Sequence, residues 1–183
     1  MKLSLRHLIR GSAVSAAVLA VGLTATVATP AIAAPFTMAR FLDVRAAAHP
    51  DHDRLVFDLT NGTLPTVRAT VVPDGMYTGP RGEPEHFKIA GVSYLVLDVG
   101  PAAAHDDAGA VTYTNPPVQP LTLDGIKGVQ LLSDFEGHVE FGVSLGSGSR
   151  YRTFTLADPN RLVVDVYRSP EATPSWPWPG VVQ

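Results

Sequence analysis

The sequence contains no cysteine, which excludes a disulfide framework and every form of thiolate chemistry. Lysine is almost as scarce, with Lys2, Lys88 and Lys127 the only three. Fourteen basic residues stand against 17 acidic ones for a net charge of −3, so a nucleic-acid partner is not expected. Beyond the first 33 residues no apolar stretch approaches the roughly 20 residues that a membrane-spanning helix needs. Convincing helical periodicity is also missing, so helix is at most a minor component.

What is present begins with a leader. Lys2, Arg6, His7 and Arg10 form a positive start, an Ala/Val/Leu run follows from Ser12 to Val27, and Ala31-Ile32-Ala33 offers the small residues of a cleavage site. Gly11, Thr24, Thr26 and Pro30 interrupt the run, which favours a removable signal peptide over a retained anchor. Residues 1–33 are therefore read as a signal peptide and the protein as secreted, acting outside the cytoplasm at the cell envelope, with no stable membrane span after cleavage. No cysteine stands near the cut to carry a lipid. The leader's charges are all basic, so the mature chain is more acidic than the whole. About 150 residues remain, the size of one domain with one core.

The segment from Ala34 to Arg168 alternates short β-branched or apolar runs with Gly, Pro, Asn and Asp. This pattern predicts an all-β fold, an antiparallel β-sandwich of about eight strands with two long loops. The strands fall at 40–46, 55–60, 66–72, 93–99, 129–133, 138–145, 151–156 and 161–167. One long loop follows Pro73-Asp74-Gly75 and passes Tyr77, Arg81 and Glu85; its Gly and Pro content argues against regular structure. The other runs from Pro101 to Pro120. Loops of this length in a small domain are usually functional or disordered. Residues 169–183 carry Pro170, Pro174, Pro177 and Pro179 together with Trp176 and Trp178, and read as an extended tail.

One internal echo stands out. Asp51-His52-Asp53-Arg54-Leu55-Val56-Phe57-Asp58-Leu59 resembles Asp158-Pro159-Asn160-Arg161-Leu162-Val163-Val164-Asp165-Val166. Strand alternation sets Arg54 with Asp58, and Arg161 with Asp165, on the face opposite the apolar set. Either these are outward charges that pair with neighbours and fix register, or each strand is the centre of one of two pseudo-equivalent sheets.

At these residues a family resemblance emerges. His52 to Asn61, the loop Ala104-His105-Asp106-Asp107-Ala108-Gly109, the turn Asp134-Phe135-Glu136-Gly137 and the run from Thr153 to Val166 together resemble the AMIN-like domain of secreted bacterial proteins. That family is similar in pattern to the AMIN domain, a small β-sandwich found beside cell-wall amidases and secretins that targets peptidoglycan. The resemblance implies envelope binding without catalysis.

Other chemistries also find their residue types in this sequence. Gly142-Val143-Ser144-Leu145-Gly146 fits the hydrolase elbow G-x-S-x-G, but that motif needs a strand, a sharp turn and a helix, and Ser144 instead falls mid-strand facing outward. His49, His52 and Asp53 could join His105, Asp106 and Asp107 around a cation if their loops meet, although the spacing does not require a metal and turn capping is the ordinary role of such aspartates. Glu83, Glu85, Asp134 and Glu136 hold the carboxyls of a glycosidase pair without any spacing that fixes their separation. No cofactor is called for.

A glycan ligand needs aromatic faces for apolar sugar patches, with carboxylates, amides and Arg for hydroxyls and peptide stems. Tyr77, Arg81, His86, His105, Asp106, Asp107, Tyr113, Asn115 and Phe135 supply these types on loops and form the expected ligand-binding set. The expected partner is peptidoglycan or another cell-wall glycan, with a protein partner as a further possibility. The alternative from a different class is a small secreted hydrolase that uses His105-Asp106-Asp107, with or without a metal.

Overall fold

The computed structural model describes residues 36–146 and 150–168. The segment expected to be a signal peptide (1–33) and the Pro/Trp-rich segment (169–183) lie outside the described residues. Twelve strands make up the described fold: β1 (Ala39–Ala48), β2 (His52–Leu59), β3 (Thr66–Val72), β4 (Met76–Thr78), β5 (Pro84–His86), β6 (Ser93–Gly100), β7 (Ala102–Ala103), β8 (Val118–Pro120), β9 (Ile126–Phe135), β10 (His138–Leu145), β11 (Arg150–Leu156) and β12 (Arg161–Tyr167). Among the described residues there is no helix, and hence none long and apolar enough to cross a membrane.

The strands form two five-stranded sheets, in the orders β11-β12-β2-β1-β7 and β3-β6-β10-β9-β8, with β4-β5 a separate hairpin. All pairings are antiparallel except β1 with β7. Each expected strand is found, so the all-β sandwich reading holds. The long loops are less bare than expected. The Gly/Pro-rich stretch after Pro73 contains the β4-β5 hairpin, because three residue pairs from Met76↔His86 to Thr78↔Pro84 suffice to close it. The second loop contributes β7 and β8 to sheet edges.

Period-two alternation builds the core. Leu55, Phe57 and Leu59 of β2 and Leu162, Val164 and Val166 of β12 face Leu95, Leu97 and Val99 of β6 and Val139, Phe141 and Val143 of β10. At the centre the rings of Phe41, Phe57 and Phe141 meet one another at centroid distances of 5.8, 4.9 and 4.7 Å. Edge and tilted contacts of this kind add to the burial of apolar area.

The echo resolves into one sheet, not two. β2 and β12 are antiparallel neighbours, so reversal of direction brings Arg54 opposite Asp165 and Asp58 opposite Arg161. The reading of two pseudo-equivalent sheets is overturned, and the reading of register-fixing charges stands: Arg54 Nε and Nη2 donate to Asp165 Oδ1 and Oδ2 at 2.6 and 2.7 Å.

The outer faces of the two sheets differ. Phe87 and Ile89, which follow the β4-β5 hairpin, lie against Gly142 and Gly128 so closely that a Cβ at either glycine would strike them. Ser144 faces outward as expected but is only 1% exposed, lying beneath the Ile89 segment, whose carbonyl accepts from its Oγ at 2.8 Å. The second sheet is thus partly roofed by its own chain.

Candidate functional site

The second long loop is anchored along β1. A bulge between Phe41 and Asp43 interrupts the β1-β2 ladder, and beyond Arg40 no strand among the described residues pairs with the other edge of β1, which leaves backbone groups of β1 in need of partners. Residues 112–115 supply them: Thr112 Oγ1 donates to the Phe41 carbonyl at 2.9 Å, and Thr114 N to the Leu42 carbonyl at 2.8 Å. The Asn115 amide accepts from Val44 N at 2.8 Å and donates to its carbonyl at 3.2 Å. Between them Tyr113 turns inward, is 5% exposed and packs on Phe141 at 5.3 Å. Burial, with the charge of Asp43 second, holds its hydroxyl well above the usual phenol range.

Tyr113 and Asn115 are therefore anchors of the loop, the one buried and the other with its amide engaged by Val44, and neither lines the cleft described below. Their residue types were read for recognition chemistry, whereas the bulge that uses them is invisible until β1 and β2 are paired.

Anchoring 112–115 fixes the turn that precedes it. Asp106 Oδ1 accepts from Ala108 N and Ala110 N at 2.9 and 2.8 Å, while Gly109 takes a φ of 82° that disfavours a side chain. This is the turn-capping role expected of an aspartate in this loop. Asp107 projects from the turn, 97% exposed, and meets Arg40 Nη2 at 2.6 Å. His105 Nδ1 lies 2.6 Å from Asp134 Oδ2, tying the loop to the end of β9. The β9-β10 hairpin closes through Glu136 and Gly137, both left-handed with φ of 51° and 77°, and it lifts Phe135 to 61% exposure.

Together these elements bound an open cleft of about 510 Å³ lined by Met38, Arg40, His105, Asp106, Asp107 and Glu136. Of the expected set, His105, Asp106 and Asp107 line this cleft, and Phe135 sits on the hairpin that forms one wall. Tyr77, Arg81 and His86 stand elsewhere, on the β4-β5 hairpin. The Tyr77 hydroxyl donates to Glu85 Oε2 at 2.6 Å, and burial followed by that carboxylate pushes it up to about 12. Arg40 was not singled out from sequence; its strand position gave no sign that a loop 67 residues away would meet it.

The proposed meeting of the two His/Asp loops does not occur. Arg40, near the start of β1, touches Asp107, whereas Asp53 pairs with Ala48 at its other end. Eight residues of strand separate these points by about 26 Å. Among the described residues no group of three or more His, Asp or Glu side chains gathers in metal-ligating proximity. Asp53 is fully buried and satisfied by Gly125 N at 2.6 Å and Arg168 Nη2 at 3.1 Å. The carboxyls weighed as a glycosidase pair are likewise divided, Glu85 engaged by Tyr77 and Asp134 by His105.

A family model for the AMIN-like domain matches residues 39–168, from the first strand to the end of the last. The chain belongs to the AMIN-like family. Comparison with curated proteins finds no match.

Within the AMIN-like domain the arginines are concentrated on the outer face of the first sheet. Arg45, Arg54, Arg150, Arg152 and Arg161 occupy it, set by the registers of β1, β2, β11 and β12. Arg45 Nε and Nη2 donate to Asp58 at 2.8 and 3.0 Å. That guanidinium lowers the Asp58 carboxyl, whereas burial, with a hydrogen bond to Asp58 second, raises that of its neighbour Asp43. The signal available in the sequence was Arg150-Tyr151-Arg152, a spacing that puts both guanidiniums on one face.

Proposed function

We propose that this AMIN-like protein is a secreted, non-catalytic binding module of the bacterial cell envelope that recognises peptidoglycan or a related wall glycan through the cleft at the His105–Gly109 loop. The observation that carries this reading is the cleft's composition. Carboxylates (Asp107, Glu136), an imidazole (His105) and a guanidinium (Arg40) surround an open space, with an exposed phenyl ring (Phe135) on the adjoining hairpin. Sugars are bound by such mixtures, since hydroxyls need both donors and acceptors and the apolar face of a ring needs an aromatic.

Family membership supports the same role, AMIN-like domains being generally binding modules, and the leader sequence supports an extracytoplasmic one. The hydrolase alternative draws on one observation, the His105-Asp134 pair, which has the form of a base held by its orienting carboxylate. A nucleophile would have to join it, and Ser144 is engaged beneath Ile89 instead.

Sedimentation of purified protein with isolated sacculi, combined with an assay for released wall fragments, tests the reading. Retention in the pellet without product is the expected result. Product release would establish the hydrolase, and absence of retention would overturn the binding role. Phe135→Ala and Asp107→Ala should each reduce retention severalfold; unchanged retention in both would move the site away from the cleft.

A further inference from the structure

The arginine face of the first sheet is ordered in rows that cross four strands. Arg152, Asp165, Arg54 and Ala47 stand side by side in the first; Phe154, Val163, Val56 and Arg45 in the second; Leu156, Arg161, Asp58 and Asp43 in the third. A groove of about 330 Å³ runs over them, lined by Arg45, Arg54, Arg161, Val56, Val163 and Leu156. Its floor is apolar and its walls are guanidiniums.

The hydrogen-bonding character of this groove is weighted toward donors. Both oxygens of Asp165 are taken by Arg54 and both of Asp58 by Arg45. Arg152 stacks over the Phe154 ring at 4.9 Å and Arg161 Nε donates to the Pro159 carbonyl at 3.2 Å; among the described residues neither has a carboxylate partner. With Asp43 of the third row counted, four guanidiniums stand against three carboxylates, so N–H donors and positive charge are in excess over these rows. A sugar hydroxyl needs acceptors as well as donors, whereas a phosphate needs donors only and suits guanidinium geometry. The Phe154 ring, moreover, is already approached by Arg54 at 5.9 Å as well as by Arg152, which leaves it poorly placed for a stacking sugar.

We propose that this face is a second binding site, distinct from the loop cleft, for a linear phosphodiester polymer, with non-bridging phosphate oxygens accepting from Arg152 and Arg161 and the carbon units between them lying on Val163, Val56 and Leu156. The two arginines stand in rows four residues apart along the strands, a backbone separation of about 13 Å, with the apolar Val163 and Val56 in the row between. Positive charge on either side of an apolar floor suits a chain of phosphates joined by carbon units. The outer face of the other sheet is in part covered, at Gly128 and Gly142, by Ile89 and Phe87.

The proposal does not depend on the loop cleft, and the test separates the two. The full chain is titrated at low salt with poly(glycerol phosphate), with polygalacturonate of matched length and with inorganic phosphate. Poly(glycerol phosphate) should bind, at least tenfold more tightly than either of the others, and raising the salt should weaken it. Arg152→Glu combined with Arg161→Glu should reduce that affinity tenfold or more. If the glutamates lower the melting temperature, Arg152→Gln with Arg161→Gln makes the same comparison without charge reversal. Equal binding by polygalacturonate, no binding of poly(glycerol phosphate), or affinity unchanged in both double variants would overturn the proposal. Retention of these variants on sacculi stripped of phosphate polymers reports on the loop cleft alone and should be unaltered.

Discussion

Arg54 and Asp165 lie 111 residues apart in sequence and directly opposite in register, joined by two hydrogen bonds of 2.6 and 2.7 Å between β2 and β12. Asp165 is 4% exposed, so its charge has little water to turn to if the guanidinium is lost. A pair of this kind contributes less by attraction than by the cost of separating it. It ties the two strands that bear the echoed sequences and fixes the rows of the arginine face.

Arg54→Ala should accordingly destabilise the fold by about 1–3 kcal/mol, the penalty for stranding a buried acceptor moderated by Arg54's own partial exposure. Urea unfolding of the single variants and of the pair with Asp165→Asn checks this. A coupling energy near zero in the double-mutant cycle would show that the two side chains act independently.

Tyr113→Ala is expected to cost about 3 kcal/mol or more, as for removal of a buried aromatic, because the ring packs on Phe141. Its retention on sacculi, measured well below the melting temperature, should match that of the unmodified protein. Reduced retention with unchanged stability would place the ring at the ligand after all.

Gly142→Ala should destabilise by about 1–3 kcal/mol, since the added methyl meets the Phe87 ring and one of the two must shift. Thermal unfolding measures the cost. A variant as stable as the parent would mean that the segment after β5 moves away from the sheet freely.

Glu140 supplies a pH test. Burial first, and the Asp98 charge second, raise its carboxyl above the usual range, with His138 opposing. The ionised form is thus less favoured in the folded state than in the unfolded one. That cost is absent below the unfolded pKa, about 4.3, and complete once pH has risen past the folded value. Glu140→Gln should therefore gain stability at pH 7 and gain none below about pH 4. An equal gain at both, seen by urea unfolding, would exclude the electrostatic origin.

Much of the fold was legible because alternation writes it residue by residue: Leu55, Phe57 and Leu59 declare one face of β2, and Leu162, Val164 and Val166 one face of β12. What stayed hidden depends on which strands become neighbours. The echoed Arg-to-Asp spacing announced outward charges but not that the strands would pair antiparallel, and so not that each Arg would meet the other strand's Asp. The β4-β5 hairpin was masked by Gly79, Pro80 and Gly82, which suit its turn and argue against strands in any local reading. At the cleft, His105, Asp106, Asp107 and Phe135 were identified by residue type, whereas the burial of Tyr113 and the clamp by Asn115 follow from a bulge in β1.

The most direct test of glycan recognition at the cleft is an amide-resolved NMR titration with soluble peptidoglycan fragments. Recognition as proposed predicts saturable shifts at 105–109 and 135–137, with the β4-β5 hairpin unmoved. Shifts confined to residues 76–86, or none anywhere at fragment concentrations that saturate sacculus binding, would contradict it.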